Sequence, residues 1–211
     1  TNYALSWGDG GASPAPAAPV KPEGANALAS GNVSLRAAGP GLLTVADRLE
    51  VGLRVVDEQG QLCTAVAETT EVECSGPLRG TLQVRGSIVR PGGARWFSFR
   101  LRASLYAGSS QVRLEPLIIM DAEEGIIQRL QEVSLTVSSR AGVGTARLGG
   151  DPGWQGSSER PTRLFQFGDQ AYRLEGAAEE RGERAPGWAE LASGQGRVAV
   201  ALREFWQQWP K

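Results

Sequence analysis

The chain has 211 residues, 41% of them apolar, and a formal net charge of −1. That is enough apolar material for one large domain, or for a domain with an appendage. The arginines are scattered, so neither nucleic acid nor an anionic membrane surface is expected as a partner. No apolar run reaches the roughly 18 residues of a spanning helix, so no membrane span is expected.

The chain opens at Thr1, and its single methionine is Met120. This reads as a processed N-terminus, as removal of a secretory signal would leave it; the alternative is a truncated start. Residues 1–11, TNYALSWGDGG, alternate strictly at first. Tyr3, Leu5 and Trp7 share one face, and Asn2, Ala4 and Ser6 share the other, the period of a half-buried strand. Residues 12–24, ASPAPAAPVKPEG, hold four prolines. Proline removes amide donors and favours extended polyproline-II geometry, so this stretch is expected to be a linker.

From about residue 25 the chain reads as continuous β structure. Strands are predicted over 31–36 and 42–56, followed by a turn at Asp57-Glu58-Gln59-Gly60. The next segment, QLCTAVAETTEVEC, is expected to be a hairpin of 61–67 with 70–75, turning at Glu68-Thr69. That register sets Cys63 opposite Cys74, where a disulfide can bridge them. A disulfide points to an oxidising compartment, extracellular or at the cell surface; the alternative is two buried free thiols. With two cysteines and no histidine, no metal site and no cofactor are expected.

A long hairpin is predicted for Leu78–Arg90 and Arg95–Tyr106 around Pro91-Gly92-Gly93. In its second strand Trp96, Ser98, Arg100 and Arg102 oppose Phe97, Phe99, Leu101 and Ala103. Strands follow at 111–120, where Pro116 suggests a bulge or an edge, and at 126–138. Residues 163–176 form a hairpin with its turn at Gly168-Asp169, and 197–206 close the domain. The predicted fold is all-β: a two-sheet antiparallel β-sandwich over 25–211, with an N-terminal extended strand and a Pro/Ala linker before it.

Four phrases, EVECSGPLRGTLQVRG (71–86), FSFRLRASLYAGSSQVRLEP (97–116), RAPGWAEL (184–191) and VAVALREFWQQWPK (198–211), together resemble the exo-rhamnogalacturonan lyase-like family of large secreted polysaccharide-degrading proteins. The resemblance runs over roughly residues 30–211. It implies a sandwich related to those of carbohydrate-active enzymes. Family members are much longer, with a large helical domain after the sandwich, so the resemblance speaks for the fold rather than for an activity of this chain.

A lyase needs a base beside the sugar carboxylate and a cation to neutralise that carboxylate. Tyr106 and Tyr172 could serve as bases, and Arg79, Arg85 or Arg100 as neutralisers; the simpler reading is strand tyrosines and solvated arginines. No catalytic residue is assigned. The cluster Asp121, Glu123, Glu124 beside Gly125 could bind calcium, or be a solvated acidic loop. Trp154 and Trp188, in Gly/Pro-rich loops, are candidate carbohydrate contacts, as are Trp206 and Trp209; the alternative is that they plug the sandwich ends or pack at a protein interface.

Two functions follow. The first is a non-catalytic structural subunit that donates residues 2–7 to another copy of itself and builds a filament, with Tyr3, Leu5 and Trp7 filling alternate pockets. A self-folded alternative pairs the same residues with the chain's own sheet edge. The second is one domain of a secreted glycan-degrading enzyme, or a carbohydrate-binding module, with glycans as partners.

Overall fold

Backbone geometry follows the period-two pattern through most of the chain. The computed structural model describes residues 16–37, 41–123, 125, 127–139, 142–149, 154–159, 161–175 and 180–208. Two compact units are present, Thr1–Ser139 and Arg140–Lys211. The single sandwich expected over 25–211 is therefore corrected to a sandwich that ends at Ser139 and a separate small β unit. The physical reason is visible in the core: the large apolar cluster draws only on residues between Val20 and Val137.

The first unit contains β1 (Lys21–Pro22), β2 (Ala27–Ser30), β3 (Val33–Arg36), β4 (Leu43–Val45), β5 (Leu49–Asp57), β6 (Leu62–Ser75), β7 (Arg79–Val89), β8 (Arg95–Tyr106), β9 (Val112–Ile119) and β10 (Leu130–Ser139). Neighbours pair antiparallel in chain order from β1 to β9, and β10 pairs with β5. The strand β6 joins two layers. Its Leu62 and Cys63 pair with β5, and Thr64 to Ser75 pair with β7. One layer is thus β1 to β5 with β10, and the other is β6 to β9. Leu28, Leu35, Leu43, Val51 and Val55 of the first layer and Leu82, Val84, Ile88, Phe97, Phe99, Leu101 and Leu105 of the second form the buried core between them. The antiparallel two-layer β fold is as expected.

Several boundaries differ from the sequence reading. The strand expected over 42–56 is two strands, because Ala46 and Asp47 take left-handed φ values of 50° and 53° and turn the chain back. The linker expected at 12–24 is partly built into the sheet: β1 pairs with β2, and Val20 is buried and donates its N–H to the Pro77 carbonyl. Residues 1–11, with Tyr3, Leu5 and Trp7, lie outside the described residues, as do 12–15. The turn after β5 forms as predicted, with Asp57 Oδ1 accepting the N–H groups of Gln59 and Gln61. The long hairpin is β7 and β8, turning through Gly92 and Gly93 at φ 96° and 92°. Pro116 sits on β9, which among the described residues pairs only with β8 and is an edge strand.

The hairpin expected within 61–75 does not form. Instead β6 runs unbroken for 14 residues, with bulges between Ala67 and Thr69 and between Val72 and Cys74. The polar run Glu68-Thr69-Thr70 is a bulge rather than a turn, because the uninterrupted β7 offers a partner along its whole length. Cys63 and Cys74 then stand at opposite ends of one strand, about 35 Å apart at roughly 3.3 Å per residue. A disulfide needs Cα atoms within about 7 Å, so the expected pairing is corrected: both thiols are free, Cys63 buried and Cys74 exposed.

The second unit holds β11 (Thr145–Leu148), β12 (Trp154–Ser157), β13 (Arg163–Gly168), β14 (Ala171–Glu175), β15 (Glu180–Gly182), β16 (Trp188–Ser193) and β17 (Gly196–Ala201). They make a four-stranded sheet, β12-β11-β16-β17, and a three-stranded one, β13-β14-β15. The 163–176 hairpin is present as β13 and β14. The closing strand expected to reach residue 206 stops at Ala201; Glu204 turns the chain at φ 52°, and Phe205–Gln207 form one 3-10 turn against Gly187.

Candidate functional site

Side-chain alternation sends Leu82, Val84 and Ile88 of β7, and Phe97, Phe99 and Leu101 of β8, into the core. The other face of the same strands is polar. Its cross-strand rows are Glu71, Gln83, Arg102 and Glu115, then Thr69, Arg85, Arg100 and Leu117, then Val66, Ser87, Ser98 and Ile119. Gln83, Thr81, Ser87 and Ser104 are buried on this face, whereas Arg85 and Glu71 are more than half exposed. The face thus has a buried floor of amide and hydroxyl groups under long charged side chains.

The bulges of β6 position its carboxylates. Glu68 and Glu73 are the extra residues at the two bulges, each unpaired in the backbone ladder and so re-aimed. Glu68 accepts the Ser87 hydroxyl at 2.5 Å. Glu73 accepts both Arg102 Nε, at 2.7 Å, and Arg102 Nη2, a bidentate clasp. That hydrogen bonding from Arg102 is the main cause holding the Glu73 carboxyl below its ordinary pKa, with the charges of Arg102 and Arg100 adding to it. The first bulge also presses the Val66 carbonyl against Gly86, where a Cβ would stand 1.9 Å from that oxygen; only glycine fits.

Across this face Arg85 gives Nη2 to Glu71 at 3.2 Å and Nε to the side-chain amide oxygen Oε1 of Gln83. Arg113 gives Nη2 to Glu115 at 2.9 Å. Thr81 and Ser104 share a buried hydroxyl hydrogen bond of 2.9 Å. Arg100 stands directly opposite Arg85. Among the described residues its guanidinium makes no hydrogen bond or ion pair; it acts on Glu73 only through its charge. At one end of the face Asp121 accepts the Ser98 N–H at 2.8 Å, the Ser98 hydroxyl at 2.7 Å and Arg95 Nη2 at 2.5 Å. The Ser98 hydroxyl is the largest cause of an Asp121 pKa held down at about 2. Asp121 is therefore an anchor for the chain leaving β9. No group of metal-ligating side chains occurs among the described residues, and Glu124 lies outside them.

The sequence-predicted candidates are dispersed. Arg79 and Tyr106 are cross-strand partners, with the guanidinium 6.0 Å from the ring centroid. Arg85 and Arg100 come together at the middle of the face, and Tyr172 is buried in the second unit, its ring against Gly182. Trp154 is 7% exposed and packs on Gly156. Trp188 is 39% exposed beside Gly149, and Trp206 carries the Arg184 guanidinium 4.2 Å from its ring centroid. Trp209 lies outside the described residues. The sequence reading set Arg102 on one face with Arg100 but gave it no role, and it missed Glu68, Glu73 and Gln83; the alternation of β7 could have placed Gln83 with Arg85, but nothing local marked the bulges.

Residues 38–136 match the family model of the PcRGLX-like protein central beta sandwich domain. The PcRGLX-like stretch spans β4 to β9 and most of β10, and so contains the whole polar face. It also contains the phrases at 71–86 and 97–116 that carried the resemblance to rhamnogalacturonan lyase-like proteins; those at 184–191 and 198–211 fall beyond it. No curated protein and no solved structure matches the chain. Among the described residues no helix is long and apolar enough to cross a membrane.

Proposed function

We propose that the chain is the sandwich-bearing part of a secreted, polysaccharide lyase-related protein, and that the outer face of β6 to β9 binds an acidic glycan. The observation that carries this reading is the Arg85–Arg100 pair. Like charges directly opposite on neighbouring strands are destabilising, and Arg100 has no direct carboxylate partner among the described residues. A uronate carboxylate would meet Arg100 with charge-assisted hydrogen bonds, while Glu71 and Glu73 offer groups for sugar hydroxyls. Isothermal titration of the 211-residue protein with oligogalacturonides and rhamnogalacturonan oligosaccharides should show binding that weakens with salt. Neutral galactan binding as tightly as the acidic oligosaccharides would overturn the proposal.

The chain is read as a binder of this glycan rather than its catalyst. A base must come within hydrogen-bond reach of the proton it removes, and Tyr106 lies at the margin of the face beside Arg79. Sustained release of unsaturated products by the purified chain, abolished by Tyr106→Phe, would overturn this.

Self-assembly by donation of residues 2–7 is the competing reading for the N-terminal segment. One observation favours it: the second layer ends on an eight-residue edge strand, β9, with no further partner among the described residues. Concentration-dependent growth in light scattering, lost on deletion of residues 1–11, is the result it requires.

A further inference from the structure

The three-stranded sheet of the second unit has one buried face and one open face. Gln166 of β13 and Tyr172 and Leu174 of β14 are buried on the first. Alternation sends Phe165 and Phe167 to the other, where they are 49% and 50% exposed. Gln166 fixes that choice. Its Nε2 donates to the carbonyls of Gly168 and Glu183, at 2.7 and 2.9 Å, and its Oε1 accepts the Ala185 N–H at 3.0 Å. A buried amide satisfied in this way is costly to turn outward, so the phenylalanines on either side of it are held out of the core. Their rings stand 6.1 Å apart with planes inclined by 20°.

Cations share the open face. Phe165 pairs with Arg173, and Arg173 pairs with Arg181, so one cross-strand row reads Phe-Arg-Arg. Arg163 and Glu175 make the row beside it. Arg173 is in an ion pair with Glu175, and its buried Nε has no acceptor among the described residues. Arg173 and Arg181 are like charges directly opposite on neighbouring strands, which destabilises a sheet. With Arg163, Arg173 and Arg181 against Glu175 alone, the described part of this face is cationic, although the whole chain carries a net charge of −1.

Phenylalanine has no polar tip, so the two rings offer apolar contact only. A ligand that fits must combine an apolar ring face with negative charge at its rim. A uronate pyranose does so: its ring C–H groups make an apolar face, and its carboxylate stands at the edge of the ring. A second copy of this face does not fit, because like charges repel. A nucleic-acid strand fits poorly, because the near-neutral chain supplies no broad basic field for a phosphate backbone. We infer that the outer face of β13 to β15 is a separate binding site for an acidic oligosaccharide. Phe165 and Phe167 stack on its sugar rings, and Arg173 and Arg181 take its carboxylates. The inference rests on the reading of the chain as an acidic-glycan binder, and it places a contact with that ligand outside the β6 to β9 face.

The experiment is a titration of the isotope-labelled 211-residue protein with an oligogalacturonide, read amide by amide by NMR. Amides of β13 and β14 should shift, and should still shift in Arg100→Gln. Phe165→Ala combined with Phe167→Ala should weaken that response by about tenfold or more, while β7 and β8 respond as in the parent. Arg181→Gln, which keeps both rings, should weaken it by a similar factor and decides the matter if the double variant perturbs the sheet. Shifts confined to β7 and β8 would overturn this site and leave the first standing. Shifts confined to β13 and β14 would support this site and overturn the first. An equal response to neutral galactan, or a tighter one to oligothymidylate, would overturn the inference. So would ligand-free line broadening that grows with protein concentration and vanishes in the double variant, since it would mark a self-association surface.

Discussion

Arg85 and Arg100 face each other across β7 and β8, two guanidinium-bearing residues in direct register on an exposed sheet face. Arg85 is held by Glu71 and Gln83, while Arg100 has only the field of Glu73. The pair is a local stability cost that an anionic ligand would offset.

Replacing Arg100 by Gln should separate binding from stability. The apo protein should melt at the same temperature or slightly higher, because a like-charge cross-strand pair is removed. Affinity for an oligogalacturonide should fall roughly 10- to 100-fold, the equivalent of one charged hydrogen bond of about 1.5–3 kcal/mol. Calorimetry and a thermal melt of the same sample check both. Unchanged affinity would remove Arg100 from the site.

Asp121 makes stability depend on acid in a defined window. Its folded pKa of about 2 lies below the ordinary 3.8, so the unfolded chain binds the proton more readily. The stabilisation is therefore complete above about pH 4 and is lost as pH falls through about 2. With the Asp121 side chain 38% exposed, screening limits it to about 1 kcal/mol. Urea unfolding should show Asp121→Asn weaker than the parent at pH 7, with the gap closing as pH falls from about 4 through about 2.

Gly86 should tolerate no side chain. Gly86→Ala places a Cβ against the Val66 backbone carbonyl and the Phe99 ring, an overpacking that should cost about 3 kcal/mol or more. Gly93, with open space around it but φ 92°, is the comparison, and Gly93→Ala should cost about 1 kcal/mol. Denaturant midpoints of the two variants give the contrast; equal losses would contradict the close approach at the bulge.

The thiols should react one at a time. Cys74 is exposed and Cys63 is buried, with its thiol pKa raised chiefly by that burial and also by the Asp57 charge. A thiol reagent at pH 8 should titrate one group in the folded protein and a second only after unfolding. Two blocked thiols without reductant would restore the disulfide that β6 excludes.

The sequence by itself determined the β class, the β7–β8 and β13–β14 hairpins and the turn at Asp57, and Pro116 narrowed β9 to a bulge or an edge. Each rests on information within a few residues: period-two alternation, Gly-Gly and Gly-Asp turn chemistry, and a proline in a strand. Four-phrase resemblance located the sandwich but not its end. What only the tertiary structure decided depends on partners distant in sequence. Glu68-Thr69-Thr70 carries the composition of a turn, yet an 11-residue β7 with no interruption of its own pulls it into one long strand, and the surplus residues are expelled as bulges. That single outcome separates Cys63 from Cys74, aims Glu68 and Glu73 over the polar face, and requires Gly86 beneath them. The boundary at Ser139 was equally invisible locally, because β10 reads like any strand; it ends the first unit only because it pairs with β5, some 80 residues earlier, and completes that core.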